Sequence, residues 1–204
     1  VVAAEYDSQI AAAPIPILGM CPTPHQFMVE KMIMKRVDIM PHGSFANVET
    51  DLGPGGHKLI DYTGWVSQMV QKTGAPDYNP VIHLDVYGTI GELFDFDMAG
   101  MTEFITRVAK AAAPYELYLE TPFIADSRQG QIDTFIALRA ALAANGAEVK
   151  LVADEWCNTL DDIKAFADAE AADYLQVKAP DLGGIGNSIE ALLYCRRANA
   201  GVYM

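Results

Sequence analysis

Short apolar runs alternate with amphipathic stretches of helical period along almost the whole chain. Residues 15–19, 38–42, 81–86, 115–120, 149–154 and 174–178 read as buried strands, and a seventh strand begins at Gly201. Between them, residues 27–37, 58–72, 98–113, 129–144, 160–169 and 189–197 read as helices. Asn145-Gly146 supplies a helix C-cap. Asn158 or Thr159, and Asn187 or Ser188, supply N-caps for the last two helices. A strand–helix–strand rhythm of this kind specifies a parallel sheet with helices packed outside it.

Two architectures share that rhythm, and the polar residues separate them. A doubly wound sheet gathers its functional residues at one switch point. Here polar side chains recur at the carboxyl end of strand after strand: His42, Asp85, Glu120, Asp154 and Lys178. In a barrel every βα loop opens on one mouth, so that recurrence fits a TIM-type (β/α) barrel. Such barrels typically take about 250 residues, and this chain has 204. The expectation is one α/β domain over residues 1–204, an incomplete barrel of about seven strands lacking the closing elements.

Charge and cysteine content narrow the class further. A formal net charge of −13 argues against nucleic acid, which requires a basic footprint. No apolar run reaches the roughly 18 residues of a membrane span, and residues 1–5 carry no basic signal-peptide pattern. Cys21, Cys157 and Cys195 have no paired spacing, which suits a reducing, cytoplasmic setting.

Asp85 to Glu120 is 35 residues, Glu120 to Asp154 is 34, and Asp154 to Lys178 is 24. A βαβ step takes about 30 residues or more, so each interval is one strand-to-strand step. One such acid alone would be read as a helix cap or a loop ion pair. Three at the same place in successive units would repel and lose solvation in a shared mouth unless a cation joined them. Oxygen-only ligands select a hard ion, with Mg²⁺ the best fit. Lys178 ends an apolar strand, where desolvation would lower its pKa and make it a base; alternatively its amine snorkels to solvent. A cation beside a strand-borne lysine suits removal of a proton next to a carboxylate, with the enediolate stabilised by the metal. His42 would approach from the opposite side, as a second base or as a hydrogen-bond donor to the developing oxyanion. His83 points the same way as Asp85 but deeper, and reads as a hydrogen-bonded core histidine. Glu155 reads as pointing away.

The segments from Val81 through Gly91, Leu151 through Thr159, and Gln176 through Gly184 resemble methylaspartate ammonia-lyases of the enolase superfamily, as do Lys31-Met32-Ile33, Pro41-His42 and Leu192-Leu193-Tyr194-Cys195. The resemblance runs along nearly the whole chain. It implies elimination of ammonia from (2S,3S)-3-methylaspartate to give mesaconate, a step of glutamate catabolism, with Mg²⁺ and K⁺ as activator. It also implies that Asp85, Glu120 and Asp154 bind Mg²⁺, Lys178 is the base, His42 assists on the other face, and Gln176 contacts substrate. A homodimer acting on a small amino acid is implied as well. Two departures stand out: Met20 occupies the place of a substrate-binding glutamine, and the capping domain and a Gly-Gly-Thr-Cys loop are not in these residues. Two other functions therefore stay open, a dehydratase or epimerase of another acid and an inactive barrel that only binds ligand.

Overall fold

The structure, a computed structural model, describes residues 16–21 and 25–204. Among the described residues, six strands form one all-parallel sheet: β1 (Ile39–Ser44), β2 (Val81–Asp85), β3 (Leu117–Glu120), β4 (Lys150–Ala153), β5 (Tyr174–Gln176) and β6 (Gly201–Tyr203). Their spatial order is their chain order, each pairing only with its sequence neighbours. A doubly wound sheet would reverse that order at a switch point; this sheet winds in one direction, as a barrel wall does.

Among the described residues, seven α-helices are α1 (Gln26–Met34), α2 (His57–Thr73), α3 (Thr89–Leu93), α4 (Met98–Ala112), α5 (Arg128–Ala144), α6 (Leu160–Asp168) and α7 (Ile185–Arg197). Their termini follow local chemistry. Asp97 caps α4 through Gly100 N, Ser127 caps α5 through Gly130 N, and Thr159 with Asp162 forms a capping box on α6. Gly146, at φ 66°, ends α5, and Ala147 N returns to Leu142 O at 3.0 Å.

Two sequence expectations need correction. The run 15–19, expected as the first strand, is not one: Leu18 forms a single parallel bridge to Ile39, and residue 15 lies outside the described residues. Pro41 of β1 has no N–H to give Gly19 O, so the ladder does not extend past this bridge even though Cys21 N still bonds Pro41 O at 2.7 Å. The last long helix starts at Ile185 rather than 189, with Gly184 as N-cap. Asn187 and Ser188 therefore sit inside the first turn, where Asn187 donates to Leu182 O at 2.7 Å and Ser188 to Gly184 O at 3.1 Å.

The two faces of the sheet do different work, because alternate residues of a strand point to opposite sides. Ile82, Leu84, Leu117, Leu119, Leu151, Ala153 and Leu175 pack outward against Leu59, Val66, Phe104, Phe135 and Phe166 of the helices in one large core. Val81, Tyr118, Val152, Tyr174 and Tyr203 gather on the inner face with Leu18 and Ile39. That inner cluster forms the floor, and the Tyr118 and Tyr174 hydroxyls meet at 2.5 Å. The inner face is strongly curled. In a flat sheet β2 and β6 would stand roughly 19 Å apart, at about 4.8 Å per strand; instead Tyr203 of β6 hydrogen-bonds His83 of β2 at 2.9 Å.

Candidate active site

Directly above the floor, the same inward register carries polar side chains. It places His83 and Asp85 above Val81, Glu120 above Tyr118, Asp154 above Val152, and Gln176 and then Lys178 above Tyr174. Asp85 and Glu120 are register partners on adjacent strands. Asp154 follows the last residue of β4, and Lys178 stands two residues past β5, where Val177 N still bonds Tyr203 O at 2.7 Å. The strand exits are tightly bent. His42, Tyr87, Thr121 and Trp156 all have positive φ without being glycine, and each lies within two residues of, or at, a site position. Backbone of that kind is held by its surroundings and concentrates at functional sites.

Burial dominates the electrostatics. Asp85, Glu120 and His83 are almost wholly buried, and Asp154, Gln176 and His42 nearly so. Burial, with Glu120 adding to it, pushes the Asp85 carboxyl up to about 8. Burial, with Asp154 adding to it, pushes Glu120 up to about 8. Burial lowers the His42 imidazole to about 4 and His83 to about 3, so both are neutral near pH 7. Lys178 departs from the sequence expectation. Burial opposes its charge, but an ion pair with Asp154 Oδ2 at 2.5 Å and the pull of Glu120 and Glu155 outweigh it and raise its pKa. Its side chain is 44% exposed, so desolvation is only partial.

Among the described residues, the group of three possible ligand atoms all within 4.8 Å of one another is His42, His83 and Glu120, not the three acids. Glu120 Oε2 lies 2.9 Å from His83 Nε2 but is not aligned with it as a hydrogen bond, and its other oxygen receives only a long 3.5 Å contact from Gln176. A buried carboxylate oxygen left without a hydrogen-bond donor, beside two further acids, suits a hard cation. The oxygen donors of Asp85, Glu120 and Asp154 fit Mg²⁺ on that ground. A cleft of about 320 Å³ opens beside Asp154 and Lys178, lined also by Ile124, Glu155, Trp156 and Asn158.

Sequence reasoning missed two contributors. Glu155 was expected to point away, yet its charge reaches Asp85, Glu120 and Lys178, and burial raises its own carboxyl. Glu155 already lies in a turn closed by Cys157 N to Asp154 O at 2.9 Å, which simple strand alternation does not foresee. Tyr203 was seen only as the start of a strand. His25 and His57 are exposed, as expected, and Met20 is 58% exposed. Cys21, Cys157 and Cys195 are buried free thiols. Among the described residues, no helix is long and apolar enough to cross a membrane.

Comparison with known proteins agrees with this geometry. A family described as methylaspartate ammonia-lyase C-terminus matches residues 9–204. Methylaspartate ammonia-lyase of Haloarcula marismortui is 43% identical over 206 residues, covering 100% of this chain and 49% of that protein. A Clostridium tetanomorphum β-methylaspartase solved as a Mg complex superposes with TM-score 0.94 at 39% identity, covering 100% of this chain and 49% of the other. The Citrobacter amalonaticus methylaspartate ammonia-lyase containing (2S,3S)-3-methylaspartic acid gives TM-score 0.93 at 40% identity, with 100% and 50% coverage. Muconate lactonizing enzyme from Pseudomonas fluorescens, 15% identical over 93% of this chain and 44% of its own, gives TM-score 0.65 and shares the fold. The chain spans about half the length of the curated relatives it matches.

Proposed function

The chain belongs to the methylaspartate ammonia-lyase family, and from that premise we propose that it carries the cation-binding and proton-transfer half of an enzyme eliminating ammonia from (2S,3S)-3-methylaspartate to give mesaconate. The observation that carries the proposal is the pair of buried carboxyls, Asp85 and Glu120, pushed up to about 8 by burial, with the charge of Glu120 adding at Asp85 and that of Asp154 adding at Glu120, and with Glu120 Oε2 lacking a hydrogen-bond partner. Asp85, Glu120 and Asp154 would hold Mg²⁺. When bound, the cation supplies positive charge to a substrate carboxylate as it takes up the electron pair of the breaking C3–H bond. Lys178 takes the C3 proton on Nζ, and the C2–N bond then breaks, releasing ammonia and leaving the C2=C3 double bond. Asp154 has two roles in this scheme. Paired with Lys178 it keeps the amine charged; as a cation ligand it would have that charge offset, which would ease loss of the proton from Lys178. Gln176, inside the barrel beside Glu120 with its Oε1 unpartnered, can orient the substrate. His42 serves the opposite face of C3. K⁺ activation and a homodimeric assembly belong to the same proposal.

Met20 at the place of a family glutamine makes substrate choice the part to test. In a complete protein carrying this chain, ammonia release should be faster from (2S,3S)-3-methylaspartate than from aspartate or from 2-hydroxy acids of the same length. Preferential dehydration of a hydroxy acid, with no ammonia from methylaspartate, would assign a different member of the superfold.

A further inference from the structure

We propose that Ile124 is a specificity-determining residue: it forms the apolar wall of the cleft beside Lys178, and its bulk sets how large a C3 substituent the substrate can carry. The inference rests on the reading of Lys178 as the base that takes the C3 proton. Ile124 is 42% exposed. A single exposed isoleucine is ordinary on a protein surface. This one is set apart by how it is held and by what it faces. It lies on the segment after β3, which has no regular secondary structure, yet its backbone neighbours are tied on every side. From α5, the fully buried Gln131 accepts from Ala125 N at 2.6 Å and donates to Phe123 O at 2.9 Å. One side-chain amide thus stands in for a paired strand. The Trp156 indole, from the β4 exit, donates to Ala125 O at 3.0 Å.

The β2 exit holds the segment from the other side. Gly88 N donates to Thr121 O at 2.8 Å and Gly91 N to Pro122 O at 2.9 Å. Gly88 also makes room for the side chain: a Cβ there would stand 2.8 Å from Ile124 Cγ1, and the backbone is at φ 80°. Loops usually move more than the elements they join; here three successive strand exits fix the place of one isoleucine. It faces the cleft of about 320 Å³ that it shares with Asp154, Glu155, Trp156, Asn158 and Lys178. The Trp156 N–H is already engaged by Ala125, so its ring and Ile124 are the apolar surfaces of a cleft otherwise polar or charged. To take the C3 proton, Lys178 Nζ must come within about 3–3.5 Å of C3. A methyl on C3 is one bond further, so it lies within roughly 5 Å of Nζ. In that space an alkyl group loses water without recompense against the charged groups, and buries apolar surface against Ile124. Because the isoleucine is fixed, each added methylene on C3 must find room that the wall does not leave.

The test is ammonia release by the complete protein from (2S,3S)-3-methylaspartate, its 3-ethyl homologue and aspartate, compared as ratios of kcat/KM. A ratio cancels any loss common to all three substrates. Ile124→Ala should raise the ethyl-to-methyl ratio by about 10-fold or more, since one methylene in an apolar pocket is worth about 10- to 200-fold. Ile124→Phe should lower the methyl-to-aspartate ratio by a similar factor. Gln131→Leu lies outside the cleft and removes both side-chain hydrogen bonds to the segment; it should raise the ethyl-to-methyl ratio by less than Ile124→Ala does. Calorimetric Mg²⁺ affinity should stay that of the wild type in both Ile124 variants, because Ile124 offers no ligand atom. If Ile124→Phe does not fold, Ile124→Val replaces it and should give an ethyl-to-methyl ratio between those of the wild type and Ile124→Ala. Wild-type ratios in the Ile124 variants, or ratios that move only together with Mg²⁺ affinity, overturn the inference. An active wild type whose variants leave the ratios unmoved defeats this inference alone. A wild type that releases no ammonia from any of the three defeats the proposed function, and this inference with it.

Discussion

In the complete enzyme, Lys178→Ala should lower turnover of (2S,3S)-3-methylaspartate by about 10² to 10⁴-fold, the range for losing a positioned general base, and should abolish exchange of the C3 proton with solvent deuterium. The expectation follows from position. Lys178 is the cation at the rim of the site, 2.5 Å from one of the three acids, and it stands at the end of β5, four strands round the wall from His42 on β1. The two residues therefore approach a substrate between them from different sides. His42→Ala should fall more heavily on the diastereomer of opposite C3 configuration. Equal losses on both diastereomers from both substitutions would contradict the two-face assignment and leave His42 as an electrostatic stabiliser.

Glu120→Gln should abolish turnover while making the metal-free protein more stable at alkaline pH. Glu120 and Asp85 titrate near 8 in the fold, against about 4 in an unfolded chain. Over that window the folded state retains protons that the unfolded state releases, so stability falls as pH rises. His42 and His83 act in the opposite direction. Lowered to about 4 and about 3, they add stability above their ordinary value near 6.5 that is lost as pH drops. Between about pH 4.5 and 6.5 the two pairs offset each other. Above 6.5 only the acids remain, and each contributes ~1.4 kcal/mol per pH unit, at most about 4 kcal/mol for both by pH 8. Urea unfolding without divalent cation should therefore show stability falling from pH 6.5 to 8. Glu120→Gln should flatten that slope by about half, and added Mg²⁺ should reverse it in the wild type. A flat or rising profile in the wild type would show that these carboxyls are not raised by burial and neighbouring acids as described above.

The barrel wall was legible because strand alternation and helix caps are local. Val81, His83 and Asp85, or Tyr118 and Glu120, declare one face by spacing alone, and the common strand-end position of Asp85, Glu120, Asp154 and Lys178 marks the mouth. What the sequence did not disclose depends on curvature and on backbone bends. His83 and Tyr203 are 120 residues apart and touch only because the sheet curls. Glu155 enters the electrostatics of the site where the chain has left the strand in a turn, with Cys157 N bonded to Asp154 O at 2.9 Å. Lys178 was read as a desolvated base because a strand carries it, whereas in the fold its nearness to Asp154 decides its charge. The first apolar run was read as a strand from hydrophobicity, although Pro41 on β1 has no N–H to carry its pairing past the Leu18–Ile39 bridge.

The most direct measurement is calorimetric titration of Mg²⁺ into the complete protein and into Asp85→Asn, Asp154→Asn and His42→Ala. Glu120 belongs both to the three acids and to the close His42–His83–Glu120 group, so the other members must discriminate between them. The account predicts one Mg²⁺ site per chain, weakened by about tenfold or more in each of the two Asn variants and little changed in His42→Ala. Wild-type affinity in Asp85→Asn or Asp154→Asn, with binding lost in His42→Ala, would place the cation on the histidines and contradict the account.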